Sequence, residues 1–140
     1  MKKRLASLNS INKSQDIFNY SDNIKSVLLI DNNDIDNFVN SKILENYGVT
    51  TIISHRSVKS ALNHLKETNI TYQLILVEIY LPIIDGFEFI DMIHALELHK
   101  IHGEICLLSA SLDPFHKQKS IEKNIRLIEK PLTIGKIFFK

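Results

Sequence analysis

"LILVEIYLPIIDGFEF", residues 74–89, decides how the rest of the chain is read. With the two residues before it, "YQLILVE" (72–78) is an apolar run closed by one acid, Glu78. Such a run is too short for a buried helix and reads as a strand covered on both faces. Pro82 and the Asp85-Gly86 pair punctuate a turn. Beyond it Phe87, Ile90, Ile93 and Leu96 recur at helical spacing, which predicts a helix over 86–99 with those residues inward. The unit is therefore strand, turn, helix, with a lone carboxylate at the strand tip.

The same alternation extends in both directions. "SVLLID" (26–31) is a strand, followed by a helix that Asp34 would cap and Gly48 would stop. Ile35, Phe38, Val39, Lys42, Ile43 and Tyr47 keep its helical spacing. "VTTIIS" (49–54) is a second strand, and "SVKSALNHLKET" (57–68) a helix with Val58, Ala61, Leu62 and Leu65 on one face. "GEICLLSA" (103–110) is a fourth strand. "DPFHKQKSIEKN" (113–124) is a helix with Pro114 in its first turn, where a missing N–H costs nothing. "IRLIEK" (125–130) is a fifth strand, and "LTIGKIFFK" (132–140) has room for about two turns of helix that Thr133 would cap. Five buried strands alternating with helices require right-handed crossovers, hence an α/β fold with a parallel sheet and helices on both faces.

Composition narrows the class. The chain has 140 residues, 44% hydrophobic and 24% charged, with net charge +1. This predicts one globular domain with a real core and no general attraction to nucleic acid or acidic lipid. A single cysteine, Cys106, excludes an internal disulfide framework and reads as a small buried hydrophobe. No apolar run approaches the roughly 18 residues of a spanning helix, and no h-region follows the basic start "MKKRLASLNSINKSQ". The expectation is a soluble cytoplasmic protein. Residues 1–25 carry five Lys/Arg against Asp16 and Asp22 and read as a basic polar extension, with a docking helix around Leu5 to Phe18 as the alternative. Residues 26–140 are the domain. His94, His99 and His102 have poor spacing for a zinc site.

In parallel sheets, chemistry collects outside the carboxyl ends of the strands. Here those ends read Asp31-Asn32, Glu78, Ser109 and Glu129-Lys130-Pro131. Acids brought together repel unless a cation joins them. Lys130 supplies one positive charge, and Mg²⁺ could supply more through hard oxygen ligands.

"LLIDNND", "LILVEIYLPIIDGFEFI", "LLSAS" and "IEKPL" together resemble, in order and spacing, the receiver domain of two-component response regulators, over residues 26 to about 138. The resemblance implies a flavodoxin-like fold with strand order 2-1-3-4-5. It also implies phosphoryl transfer from a kinase histidine to an aspartate at the end of strand three, with Mg²⁺ beside it. Position by position, the acceptor falls on Glu78, the hydroxyl that contacts the phosphoryl group on Ser109 and its lysine on Lys130. The metal ligands fall on the Asp31-Asn32 pair, Glu78 and the Tyr80 carbonyl.

Two of these positions depart from the family's pattern. Glu in place of Asp adds one methylene and moves the carboxylate outward by roughly 1.3 Å, and displacements near 1 Å can cost in-line transfer about a hundredfold. Asn32 stands where an acid usually ligates the metal, so Mg²⁺ binding is expected to be weak or absent. Leu127 stands where the family often has a switching aromatic. Glu78 is long enough to reach toward Lys130 with no phosphoryl group present. The leading reading is thus a pseudo-receiver, a non-enzymatic interaction module of phosphorelay signalling. The runner-up is a working receiver phosphorylated by a histidine kinase with Mg²⁺. A nucleic-acid regulator using the basic tail is a lesser alternative. The expected partner is a protein, a histidine kinase or phosphorelay component, with homodimerisation through the face of the fourth helix, fifth strand and last helix.

Overall fold

Side-chain alternation on the strands splits the core into two halves. The computed structural model describes residues 24–138. Its elements are β1 (Ser26–Ile30), α1 (Asp34–Tyr47), β2 (Thr51–His55), α2 (Val58–Glu67), β3 (Leu74–Glu78), α3 (Gly86–Ala95), a 3₁₀ turn (Leu98–Lys100), β4 (Glu104–Ser109), α4 (Pro114–Glu122), β5 (Arg126–Glu129) and α5 (Ile134–Phe138). The strands pair in parallel in the order β2-β1-β3-β4-β5. On β1, Leu28 and Ile30 join the half of the core that contains α2 and α3, while Val27 and Leu29 join the half that contains α1 and α5. β3 divides its side chains the same way, so both central strands are buried throughout. The five-stranded flavodoxin-like sheet expected from the resemblance is therefore the observed one.

Local chemistry sets the helix ends. Asp85 caps α3 in a full capping box with Glu88, as the Asp-Gly turn requires. Ser57 caps α2 through the Ser60 N–H, and Pro114 opens α4 behind the Asp113 cap. Gly48 ends α1 in the left-handed region at φ 115. Gly86 packs so close to β3 that a Cβ there would sit 2.6 Å from the Glu78 carbonyl oxygen. Ile24, the first described residue, lies in the core. Residues 1–23 of the basic extension, including Leu5 to Phe18, lie outside the described residues.

Several expectations are corrected. The α1 cap is Asn33, not Asp34. Its apolar positions Ile35, Phe38 and Val39 face solvent, and the helix buries Asn37, Asn40 and Leu44 instead. The reason is local: the Asn37 Nδ2 donates to the Asp31 carbonyl at 2.7 Å, which fixes the polar side of the helix against the end of β1. Leu96 is exposed because α3 stops at Ala95 and Glu97 turns left-handed at φ 59, which places Leu98 inward in its stead. Phe138 in α5 is buried and stacks on Tyr47 at 4.9 Å; Phe139 is outside the described residues. Among the described residues no helix is long and apolar enough to cross a membrane.

Candidate functional site at the strand ends

β1, β3 and β5 end at one edge of the sheet, and the first turn of α1 sits above them. Lys130, just past β5, is the centre of what they bring together. Its Nζ lies 2.6 Å from Glu78 Oε1, 2.7 Å from Asp31 Oδ2 and 2.9 Å from Asp36 Oδ2. The Lys130 backbone N–H donates to the Ser109 carbonyl at 2.8 Å, which ties the lysine to β4 as well. Burial alone disfavours the ammonium, but the hydrogen bonds to Asp31, Asp36 and Glu78 outweigh that cost and hold Lys130 above the ordinary lysine range.

Each carboxylate also has a second holder. Asp31 Oδ1 accepts the Asn33 N–H at 3.0 Å. Glu78 Oε2 accepts the Tyr80 N–H at 3.1 Å. The longer side chain of Glu78 thus folds back over its own turn and still reaches the lysine. A divalent cation here would have to take oxygens that an ammonium and two backbone N–H groups now occupy. As arranged, the donor set suits an ammonium better than Mg²⁺.

The other expected positions are dispersed around this cluster. Asn32 is exposed, and its carbonyl accepts from Arg56 Nη2 at 3.2 Å. Ser109 is buried, but its hydroxyl donates to the Ser111 carbonyl at 2.7 Å and accepts the Ser111 N–H at 3.1 Å, closing its own loop. The Tyr80 ring points outward, and its hydroxyl meets His116 Nδ1 at 2.8 Å. Cys106 is buried behind the site, its thiol pushed up to about 11 chiefly by burial. His94 and His99 stack on each other at 4.3 Å, and among the described residues no group of three or more His, Cys, Asp or Glu is placed to hold a metal ion.

Asp36 is the member that sequence reasoning missed. Its signal was its place in the first helical turn after the loop leaving β1, which puts it above the strand ends once the helix is seated.

Comparison with known proteins identifies the fold that carries this cluster. The family model described as the response regulator receiver domain matches residues 27–139. A two-component response regulator from Cytophaga hutchinsonii superposes with a TM-score of 0.74 at 35% identity, covering 81% of this chain and 91% of that one. A response regulator receiver protein from Dyadobacter fermentans gives 0.70 at 26%, covering 81% and 92%. The receiver domain of the histidine kinase CKI1 from Arabidopsis thaliana, complexed with Mg²⁺ and BeF₃⁻, gives 0.68 at 21%, covering 82% and 87%, and shares the fold. Among curated proteins there is no match.

Proposed function

The chain belongs to the response regulator receiver family of two-component signalling, and we propose that it acts there as a protein-interaction module whose crevice is held by an internal charge cluster instead of being switched by aspartyl phosphorylation. One observation carries this reading: the family's phosphoryl-contacting lysine position, Lys130, is engaged by Glu78, the residue at the acceptor position, at 2.6 Å. Asp31 and Asp36 complete the ammonium's coordination. Ser109 turns its hydroxyl into its own loop, and Leu127 supplies no aromatic ring to follow it. Mg²⁺ binds weakly or not at all, because Asn32 brings no charge and Lys130 competes for both buried carboxylates. The partner is a histidine kinase or another phosphorelay protein. Exposed Ile121 on α4, which lines a hollow with Ile125 and Arg126 at β5, supports the α4–β5–α5 face for a partner or a second copy.

The test is intact-mass measurement after incubation with Mg²⁺ and acetyl phosphate. The expected result is no phosphate gained. A hydroxylamine-labile phosphate mapped to Glu78 would establish the second reading, a working receiver, which the convergence of three carboxylates on one crevice favours.

A further inference from the structure

On the flank of the domain, away from Lys130, an apolar groove of about 350 Å³ runs between α2 and the connection from β3 to α3. Val58, Leu62, Pro82, Ile84 and Met92 line it. Among the described residues its charged lining is Lys59 and Lys66, and neither makes an ion pair there. Seven positions apart on α2, they stand two helical turns, or about 10 Å, from each other on the same face.

Ile83 also lines the groove, and it is anomalous in two ways. It is 98% exposed, so it gives the core nothing. It is also held at φ 72, inside a turn that the Ile84 N–H closes on the Pro82 carbonyl at 2.9 Å. A β-branched residue is a true outlier in that region, which glycine or asparagine enters far more readily. Backbone strain of this kind, at a residue that packs against nothing, clusters at ligand- and partner-binding sites.

We infer that this groove docks an acidic amphipathic helix of a partner protein, with Ile83 as apolar anchor and Lys59 and Lys66 pairing with carboxylates two turns apart on that helix. The charge pattern selects the partner: two unpaired ammonium groups flank apolar walls, and among the described residues no acid lines the groove. The site uses neither Glu78 nor Lys130, so it stands or falls separately from the crevice.

The test is titration of the ¹⁵N-labelled full chain with an amphipathic peptide of about 14 residues. Leucines occupy positions i, i+3, i+4 and i+7 of the peptide, and glutamates the remainder. A second peptide with lysine in place of each glutamate is the control. The expected result is that the glutamate peptide shifts the amide signals of Leu62, Ile83, Ile84 and Met92 and the lysine peptide does not. Lys59→Glu with Lys66→Glu should weaken binding by about tenfold or more, the loss of two solvent-exposed charge contacts. Ile83→Asn should weaken it while raising the melting temperature. The inference is overturned if the glutamate peptide causes no shifts, if its shifts map to α4 and β5, if both peptides bind alike, or if Ile83→Asn leaves affinity unchanged. Concentration-dependent self-association that Ile83→Asn abolishes would assign the groove to a second copy and overturn it too.

Discussion

Lys130→Met removes the one cation that three carboxylates share. The Asp31 and Glu78 side chains are 3% and 7% exposed, against 38% for Asp36. Asp36 can be re-solvated, and its share of the loss is small. The other two are left as buried charges, each with only one backbone N–H. Breaking a buried pair by removing one partner costs about 3–5 kcal/mol, and two stranded carboxylates place this case near the top, at about 4.5 kcal/mol. With an m value of about 1.5 kcal/mol per molar urea, the unfolding midpoint falls by about 3 M. That is a large part of the roughly 5–15 kcal/mol a domain commands, so measurement should begin from low urea. Adding Glu78→Gln removes one of the stranded charges and should restore about half the loss, some 1.5 M. The pH dependence has a definite sign. Lys130 is held above the ordinary lysine range, so its contribution is complete below about pH 10.4 and is lost only as pH rises through the higher folded value. The gap between wild type and variant should therefore hold steady from about pH 7 to 10 and close above that. A midpoint within about 0.5 M of wild type, or a double variant no more stable than the single one, would refute the reasoning.

Four further outcomes are expected. Burial, then His64, holds His102 below the ordinary histidine range, and its Nδ1 accepts the Tyr72 N–H at 3.0 Å. Its contribution is complete above about pH 6.5 and lost as pH falls through the lower folded value, so the urea midpoint should drop between about pH 6.5 and 5. His102→Asn should remove part of that slope, the remainder belonging to His55, also held low by burial and then by His64. Gly103→Ala would drive a Cβ into the Gln73 backbone, at a cost of about 1–3 kcal/mol and a melting temperature lower by about 4–12 °C by calorimetry. Gly135→Ala, with nothing nearer than Thr133 Oγ1 at 4.0 Å, should be neutral or mildly stabilising. Glu78→Asp alone should leave Mg²⁺ binding weak by titration calorimetry, and Asn32→Asp with Glu78→Asp should restore it; a single revertant that binds normally would show that Asn32 matters little.

What was legible in the sequence followed from periodicity with one reading. Runs such as "SVLLI" and "LILVE" fit a buried strand and nothing longer, so the alternation of elements and the convergence of strand ends could be read directly. The strand order came from the family resemblance, since parallel pairing leaves no local mark. α1 was misread because its apolar residues and its buried residues both keep helical spacing. What chose between them was the Asn37 bond to the Asp31 carbonyl, a tertiary contact. Asp36 was missed for the same reason: until the rotation of α1 is known, an acid in a first helical turn looks like an ordinary response to the helix dipole. Ser109 was identified by position, but the direction of its hydroxyl depended on the loop it closes with Ser111.

The crevice ties the ends of β1, β3 and β5 to the first turn of α1. A switch needs two arrangements close in free energy, and reversing a 1:99 population takes about 5.5 kcal/mol of differential binding. Here one ammonium holds the end of β1 through Asp31, the first turn of α1 through Asp36 and the end of β3 through Glu78, while its own backbone holds β4 through Ser109. Drawing Lys130 toward any new ligand would loosen its hold on α1 and β1 as well as on Glu78 and would strand two buried charges in the process. A ligand able to do so must bring at least as much negative charge as it displaces. A partner that docks on the flank or on the α4–β5–α5 face faces no such requirement. On the proposed reading, the charge cluster would favour recognition on outer surfaces, with the crevice holding those surfaces in one arrangement.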